Sequence, residues 1–194
     1  MPPRAKTTGQ QAESATTYVA LMRGINVGGK NKLPMKELAD IFTAAGCQGV
    51  RTYIQSGNIV FRASQGLAAR VADLVSTLVQ DRFGFRVPVI TLRADELRTI
   101  VRDNPLLRSQ ATSSTLHVAF LPKAPSPELG ASLDHNRSPP DELALLGRAI
   151  YLCCPNGMAR TKLTNEYFDS RLKMPCTMRN WRTVLTLLAW AEEP

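Results

Sequence analysis

The chain has 194 residues, 44% of them hydrophobic, 21% charged and 6% aromatic, and a formal net charge of +8 at pH 7. A chain of this length buries roughly 70% of its unfolded surface and needs no disulfide or metal staple. No apolar run reaches the length of about 18 residues that a membrane span requires, and two distant histidines with four cysteines, none in a C-x-x-C pair, exclude zinc-ligand spacing.

Residues 1–16 are polar and lack the apolar core of a secretory signal, so a disordered leader is expected there. The first strand is expected at Tyr18 to Met22, followed by a loop from Arg23 to Lys32. Pro34 suits the first turn of a helix, whose apolar stripe is Met35, Leu38, Ala39 and Phe42 and whose stop is Gly46. Strands from Val50 to Gln55 and from Ile59 to Arg62 flank Ser56-Gly57-Asn58, where Gly57 and Asn58 tolerate positive φ. A long helix from Ser64 to Phe83 follows, with Ser64 as N-cap and Gly84 as stop. Val87 to Leu92 reads as a strand and Asp95 to Val101 as a short helix ended by Asn104-Pro105.

The rhythm then repeats. A strand is expected at Thr115 to Leu121, a short helix at Glu128 to Leu133 and paired strands at Glu142 to Leu146 and Ala149 to Cys153. Helical patterns return at Lys162 to Leu172 and at Arg179 to Ala191, where Trp181, Val184, Leu185 and Leu188 form the stripe. The fold class is therefore α+β, as two similar halves of split-βαβ, ferredoxin-like topology in tandem. The halves cover 17–107 and 113–192, joined by a polar run from Arg108 to Ser114.

The segment Gly24 to Asn31 reads G-I-N-V-G-G-K-N, one residue from the phosphate loop G-x-x-x-x-G-K-[ST]. Asn31 replaces the hydroxyl that would hold magnesium, and Pro34 disfavours a helix starting at Lys30. A looser reading survives: Gly24, Gly28 and Gly29 free the backbone N–H groups for an anion, with Arg23, Lys30 and Lys32 around them.

The run from Tyr18 to Lys32 resembles the opening signature of the domain-of-unknown-function 1697 family. So does Arg51-Thr52-Tyr53-Ile54-Gln55-Ser56-Gly57-Asn58-Ile59-Val60-Phe61, and so do Lys162-Leu163-Thr164 and the run from Thr177 to Thr183. The resemblance spans Tyr18 to Leu188, with Met178 departing from an expected small residue, and it implies a two-part α+β architecture in a bacterial-type cytoplasmic protein.

The same stretches have a chemical character of their own. From Leu21 to Arg62, and again from Met158 to Arg182, six Lys or Arg stand against two acids. Among them lie Asn26, Asn31, Gln55, Ser56, Asn58, Thr164, Thr177 and Asn180. Cations interleaved with amides and hydroxyls are what phosphate recognition requires. The expected anion-binding set is Arg23, Gly24, Asn26, Gly28, Gly29, Lys30, Lys32, Arg51, Ser56, Asn58, Lys162, Thr164, Thr177, Arg179, Asn180 and Arg182. Within it, Arg23, Lys30 and Lys32 are expected to meet Arg179 or Arg182 between the halves. The expected partner is RNA or DNA. The alternatives are an enzyme acting on a small phosphorylated metabolite or nucleotide through Lys30, Arg51 and Arg179, and a protein-interaction module. No cofactor, no metal and no membrane partner are expected. The cysteines read as thiols of a reducing compartment and the location as cytoplasmic.

Overall fold

In the computed structural model, residues 15–107 and 113–193 are described. The expected leader lies outside them except for its last two residues, and most of the expected link lies outside as well. The first half runs β1 (Thr16–Met22), α1 (Met35–Ala44), β2 (Gln48–Tyr53), β3 (Asn58–Ala63), α2 (Gln65–Phe83), β4 (Val89–Arg93) and α3 (Ala94–Arg102). The second runs β5 (Leu116–Phe120), α4 (Pro127–Ala131), β6 (Glu142–Leu146), β7 (Ala149–Cys153), α5 (Asn165–Leu172), β8 (Thr177–Asn180) and α6 (Trp181–Ala191). The sheets are antiparallel, with strand orders β2-β3-β1-β4 and β6-β7-β5-β8. Each half is thus a split βαβ of ferredoxin-like order followed by one more helix.

Alternation along the central strands explains why helices cover both faces of each sheet. On β1, Tyr18, Ala20 and Met22 join α1 and α2 in one core, with Phe42, Phe61 and Val75. Val19 and Leu21 point the other way, into a core shared by both halves with Leu97 and Ile100 of α3 and Trp181, Val184 and Leu187 of α6. On β5, Val118 and Phe120 enter that shared core, while Ala119 and the following Leu121 pack with Phe168 and Leu172 of α5. Helix ends follow local chemistry: Ser64 accepts from Leu67 N to cap α2, and Gly84 closes it at φ 77°.

The strand registers define the internal repeat residue by residue. Leu21 pairs with Asn58 and Ile90, as Phe120 pairs with Ala149 and Thr177. Beyond them Met22 N donates to Gly57 O at 2.8 Å, as Leu121 N donates to Arg148 O at 3.0 Å. Both β4 and β8 pass without a break into a helix, so α3 and α6 are equivalent.

Two expectations are corrected. Thr177 to Asn180 is a strand paired with β5, not the start of a helix, and α6 is capped by Asn180, which accepts from Thr183 N. That strand completes the second half, whose expected order lacked it. The connection between β2 and β3 is also longer than expected. Ile54 takes φ 49°, which ends β2 at Tyr53, while Asn58 lies within β3.

Candidate functional site

The loop between β1 and α1 is built by its own amides. Val27 and Lys30 form an isolated antiparallel bridge across Gly28 and Gly29, whose φ values of 58° and 75° make a tight primed turn. Asn26 N donates to Asn31 O at 3.1 Å, and both asparagines have positive φ. Asn26 Nδ2 donates to Leu33 O and to Gln55 O, each at 2.9 Å, and Asn26 Oδ1 accepts from Leu33 N at 2.8 Å. Asn31 Nδ2 closes the base on Gly24 O at 2.9 Å. These bonds fix the loop and tie it to the β2–β3 connection.

At the loop's root the second half takes hold. Arg23 forms an ion pair with Asp169 and lies 3.4 Å from Glu166, both on α5. Arg179 of β8 is buried and donates to Met22 O at 2.6 Å and to Ser56 O at 3.0 Å. Its Nε bonds Asn58 Oδ1, and its Nη1 donates at 2.8 Å to Thr177 Oγ1 and to Met178 O. Burial pushes this guanidinium down to about 10, so it stays cationic at neutral pH, with dipoles rather than a carboxylate around it. Arg179 therefore reaches the base of the loop as a pin between the halves, with its donors already engaged.

The remaining residues of the expected set divide by environment. Ser56 Oγ accepts from Asn58 Nδ2 at 2.9 Å, and Thr164 caps α5 by accepting from Tyr167 N. Arg51 pairs with Glu193 and stacks over Trp190 at 4.2 Å, at the far end of α6. Lys162 is exposed beside α5, and Arg182 is exposed in the first turn of α6. Among the described residues neither hydrogen-bonds to the glycine loop, and Lys162 is tied through its backbone to Ser138 and Arg137. Lys30 and Lys32 are exposed, and among the described residues no carboxylate pairs with them. Val27 at 65% exposure and Ile54 at 51% are the apolar side chains beside them in sequence and across the Asn26–Gln55 tie. A β-branched residue at positive φ is strained, and such strain clusters at functional surfaces.

Among the described residues, two clefts lie between the halves. One, of about 400 Å³, is lined by Asp73, Ser76 and Arg86 on one side and by Pro122 and Pro175 on the other. The second, of about 350 Å³, lies between α3 and the β6–β7 hairpin. Neither is lined by Lys30, Arg51 or Arg179. Glu166 and Asp169 are scattered acids that carry no local motif. Only the packing of α5 against the root of the loop shows them to be the partners of Arg23.

Among the described residues no group of three His, Cys, Asp or Glu is placed to hold a metal ion, and no helix is long and apolar enough to cross a membrane. The chain matches the family described as a protein of unknown function, DUF1697, over residues 15–151. Its fold is similar to that of the conserved bacterial protein SP0830 from Streptococcus pneumoniae, with a TM-score of 0.69 and 25% identity. That likeness covers 92% of this chain and 100% of the other. No curated protein matches it.

Proposed function

The chain belongs to the DUF1697 family, and we propose that it binds a phosphate-bearing ligand, nucleic acid above all, on the tip of the β1–α1 loop. One observation carries the reading. Lys30 and Lys32 stand exposed on a loop held by four asparagine side-chain hydrogen bonds, while Arg23 and Arg51 are engaged by carboxylates. A fixed loop that keeps two cations unpaired avoids the ordering cost of bringing them to an anion. The net charge of +8 acts in the same direction by steering anionic partners. Because helices or the opposite half cover both faces of each sheet, the strand face used by many ferredoxin-like RNA binders is not part of this reading. The enzyme reading through Lys30, Arg51 and Arg179 has less support, since the latter two already have partners.

Fluorescence anisotropy with a labelled single-stranded RNA and a DNA duplex, measured across sodium chloride, tests the proposal. Each phosphate contact contributes about 0.9 to the slope of log K against log salt on a duplex. The Lys30→Ala, Lys32→Ala double variant is expected to bind about tenfold or more weakly and to lose roughly two units of that slope. Lys123→Ala, on the β5–α4 connection, is expected to change neither. Absence of binding, binding that ignores salt, or a double variant that binds as the parent does overturns the proposal.

A further inference from the structure

The internal repeat offers a comparison within one chain. Because Leu21, Asn58 and Ile90 correspond to Phe120, Ala149 and Thr177, the two hairpins and the two following helices can be laid on one another. Each helix packs on the hairpin of the other half. In one copy, α6 brings Trp190 against Tyr53 of β2, edge to face at 5.3 Å, with the Arg51 guanidinium 4.2 Å over the indole. In the other copy, α3 faces the β6–β7 hairpin, and Tyr151 Oη donates to Ile100 O at 3.0 Å.

The corresponding residues there are smaller. Counting from the shared helix start, Asp103 stands where α6 carries Trp190. Along the edge strands, Leu146 stands for Tyr53 and Ala144 for Arg51. At these three positions the second copy lacks the indole, phenol and guanidinium of the first, and although Tyr151 stands there in place of Val60, a cleft of about 350 Å³ opens. Its walls are Glu96, Thr99, Ile100, Asp103, Leu146 and Tyr151, with Arg148 at the hairpin. That volume is within the range of ligand pockets, about 300–1,000 Å³.

The polar groups of the cleft select a ligand. Thr99 already donates to Asp95 O and Tyr151 to Ile100 O, so both offer lone pairs. Glu96 and Asp103 are acceptors. The Asp103 pair with Arg102 joins neighbouring exposed side chains and is readily exchanged. Arg148 spends Nε on Leu121 O at 2.8 Å and Nη2 on Thr91 O at 2.7 Å, with Glu96 3.4 Å away. Its other three N–H groups remain, so the cleft sets one guanidinium against the two carboxylates of Glu96 and Asp103, and that balance favours a ligand that brings donors.

We infer that the cleft between α3 and the β6–β7 hairpin is a binding site for a small aromatic amine, whose ring takes the place that Trp190 fills in the other copy and whose N–H groups meet Asp103 and Glu96. The site is separate from the glycine loop and does not rest on the reading given for it.

Tryptamine is the probe, with indole-3-acetate as its charge-reversed counterpart, both followed by amide chemical-shift titration of the full chain. Tryptamine is expected to bind saturably, at least tenfold more tightly than indole-3-acetate, and to shift amides of Thr99, Leu146 and Gly147. Asp103→Trp copies the filled half into the open one. It is expected to melt no lower than the parent and to lose tryptamine binding at least tenfold. Leu146→Tyr is the second filling variant, with the same expectation should Asp103→Trp fail to fold. Equal binding of the two probes, shifts mapping elsewhere, or filling variants that bind as the parent does overturns the inference. A capped Lys-Trp-Lys tripeptide that binds tenfold more tightly than tryptamine also overturns it, by assigning the cleft to a side chain of a protein partner.

Discussion

Replacing Arg179 tests what joins the two halves. Its side chain bonds Asn58 Oδ1, Thr177 Oγ1 and the carbonyls of Met22, Ser56 and Met178. Arg179→Ala strips the donor from Asn58 Oδ1 and from Ser56 O, for which no other donor is found among the described residues. An orphaned buried acceptor costs about 1–3 kcal/mol, and a hydrogen bond to a charged group contributes about 1.5–3 kcal/mol. Against this stands the desolvation of a cation that has no carboxylate partner among the described residues, whose removal returns part of the loss. The orphaned acceptors outweigh that return, because alanine fills neither the volume nor the bonding of the fork. A net loss of about 3–5 kcal/mol is expected, a large share of the roughly 5–15 kcal/mol of a natural domain. Arg179→Lys keeps the charge but cannot bridge two strands and a hairpin with one ammonium, and is expected to lose about 2–3 kcal/mol. Urea unfolding reads both, and the double-variant cycle with Asn58→Ala is expected to give a coupling of about 1–2 kcal/mol. If Arg179→Ala loses less than about 1 kcal/mol with an unchanged m value, the pin is not what holds the halves together.

Two further outcomes follow from the same geometry. Gly57 has φ 72°, and a Cβ there would lie 2.7 Å from Met22 Cβ and 2.8 Å from Ile25 Cδ1. Gly57→Ala is therefore expected to cost about 2–5 kcal/mol from strain and overpacking together. Gly28→Ala, at φ 58° with open space around it, should cost only about 1 kcal/mol by the same urea measurement. Burial pushes the Cys47 and Cys154 thiols up to about 11 and, together with the nearby Asp169 carboxylate, Cys176 up to about 12. At pH 8 these three are protonated and enclosed, so iodoacetamide is expected to modify the half-buried Cys153 first, as read by peptide mass mapping. Rapid modification of Cys176 in the native protein would contradict that picture.

Most of the fold was legible because its signals are local. Ser64 and Gly84 bracket α2 through their own backbone chemistry, and the apolar stripe of α1 buries Leu38 and Phe42 as its spacing requires. β8 was not legible, since Thr-Met-Arg-Asn has no apolar alternation. What makes it a strand is pairing with β5, some sixty residues earlier, and no local pattern encodes that. Ile54 defeats local reasoning in another way. A β-branched residue at positive φ is disfavoured alone and is held there by the ties around Asn58 and Gln55.

The candidate site shows why composition overstates a binding surface. Asparagine, serine and arginine suit phosphate recognition, and they suit backbone scaffolding equally well. In this chain Asn26, Asn31, Asn58 and Arg179 spend their polar atoms on carbonyls and amides of the loop, the hairpin and β8. Those residues specify the shape of the loop, and Lys30 and Lys32 stand exposed on it without a carboxylate partner among the described residues. The α3 cleft makes the complementary point. Glu96, Asp103 and Leu146 carry no motif, and their significance appears only when the second half is compared with the first, where Trp190 and Tyr53 close the same space. A chain that repeats its fold carries its own reference, and departures from that reference locate a site that residue types alone do not mark.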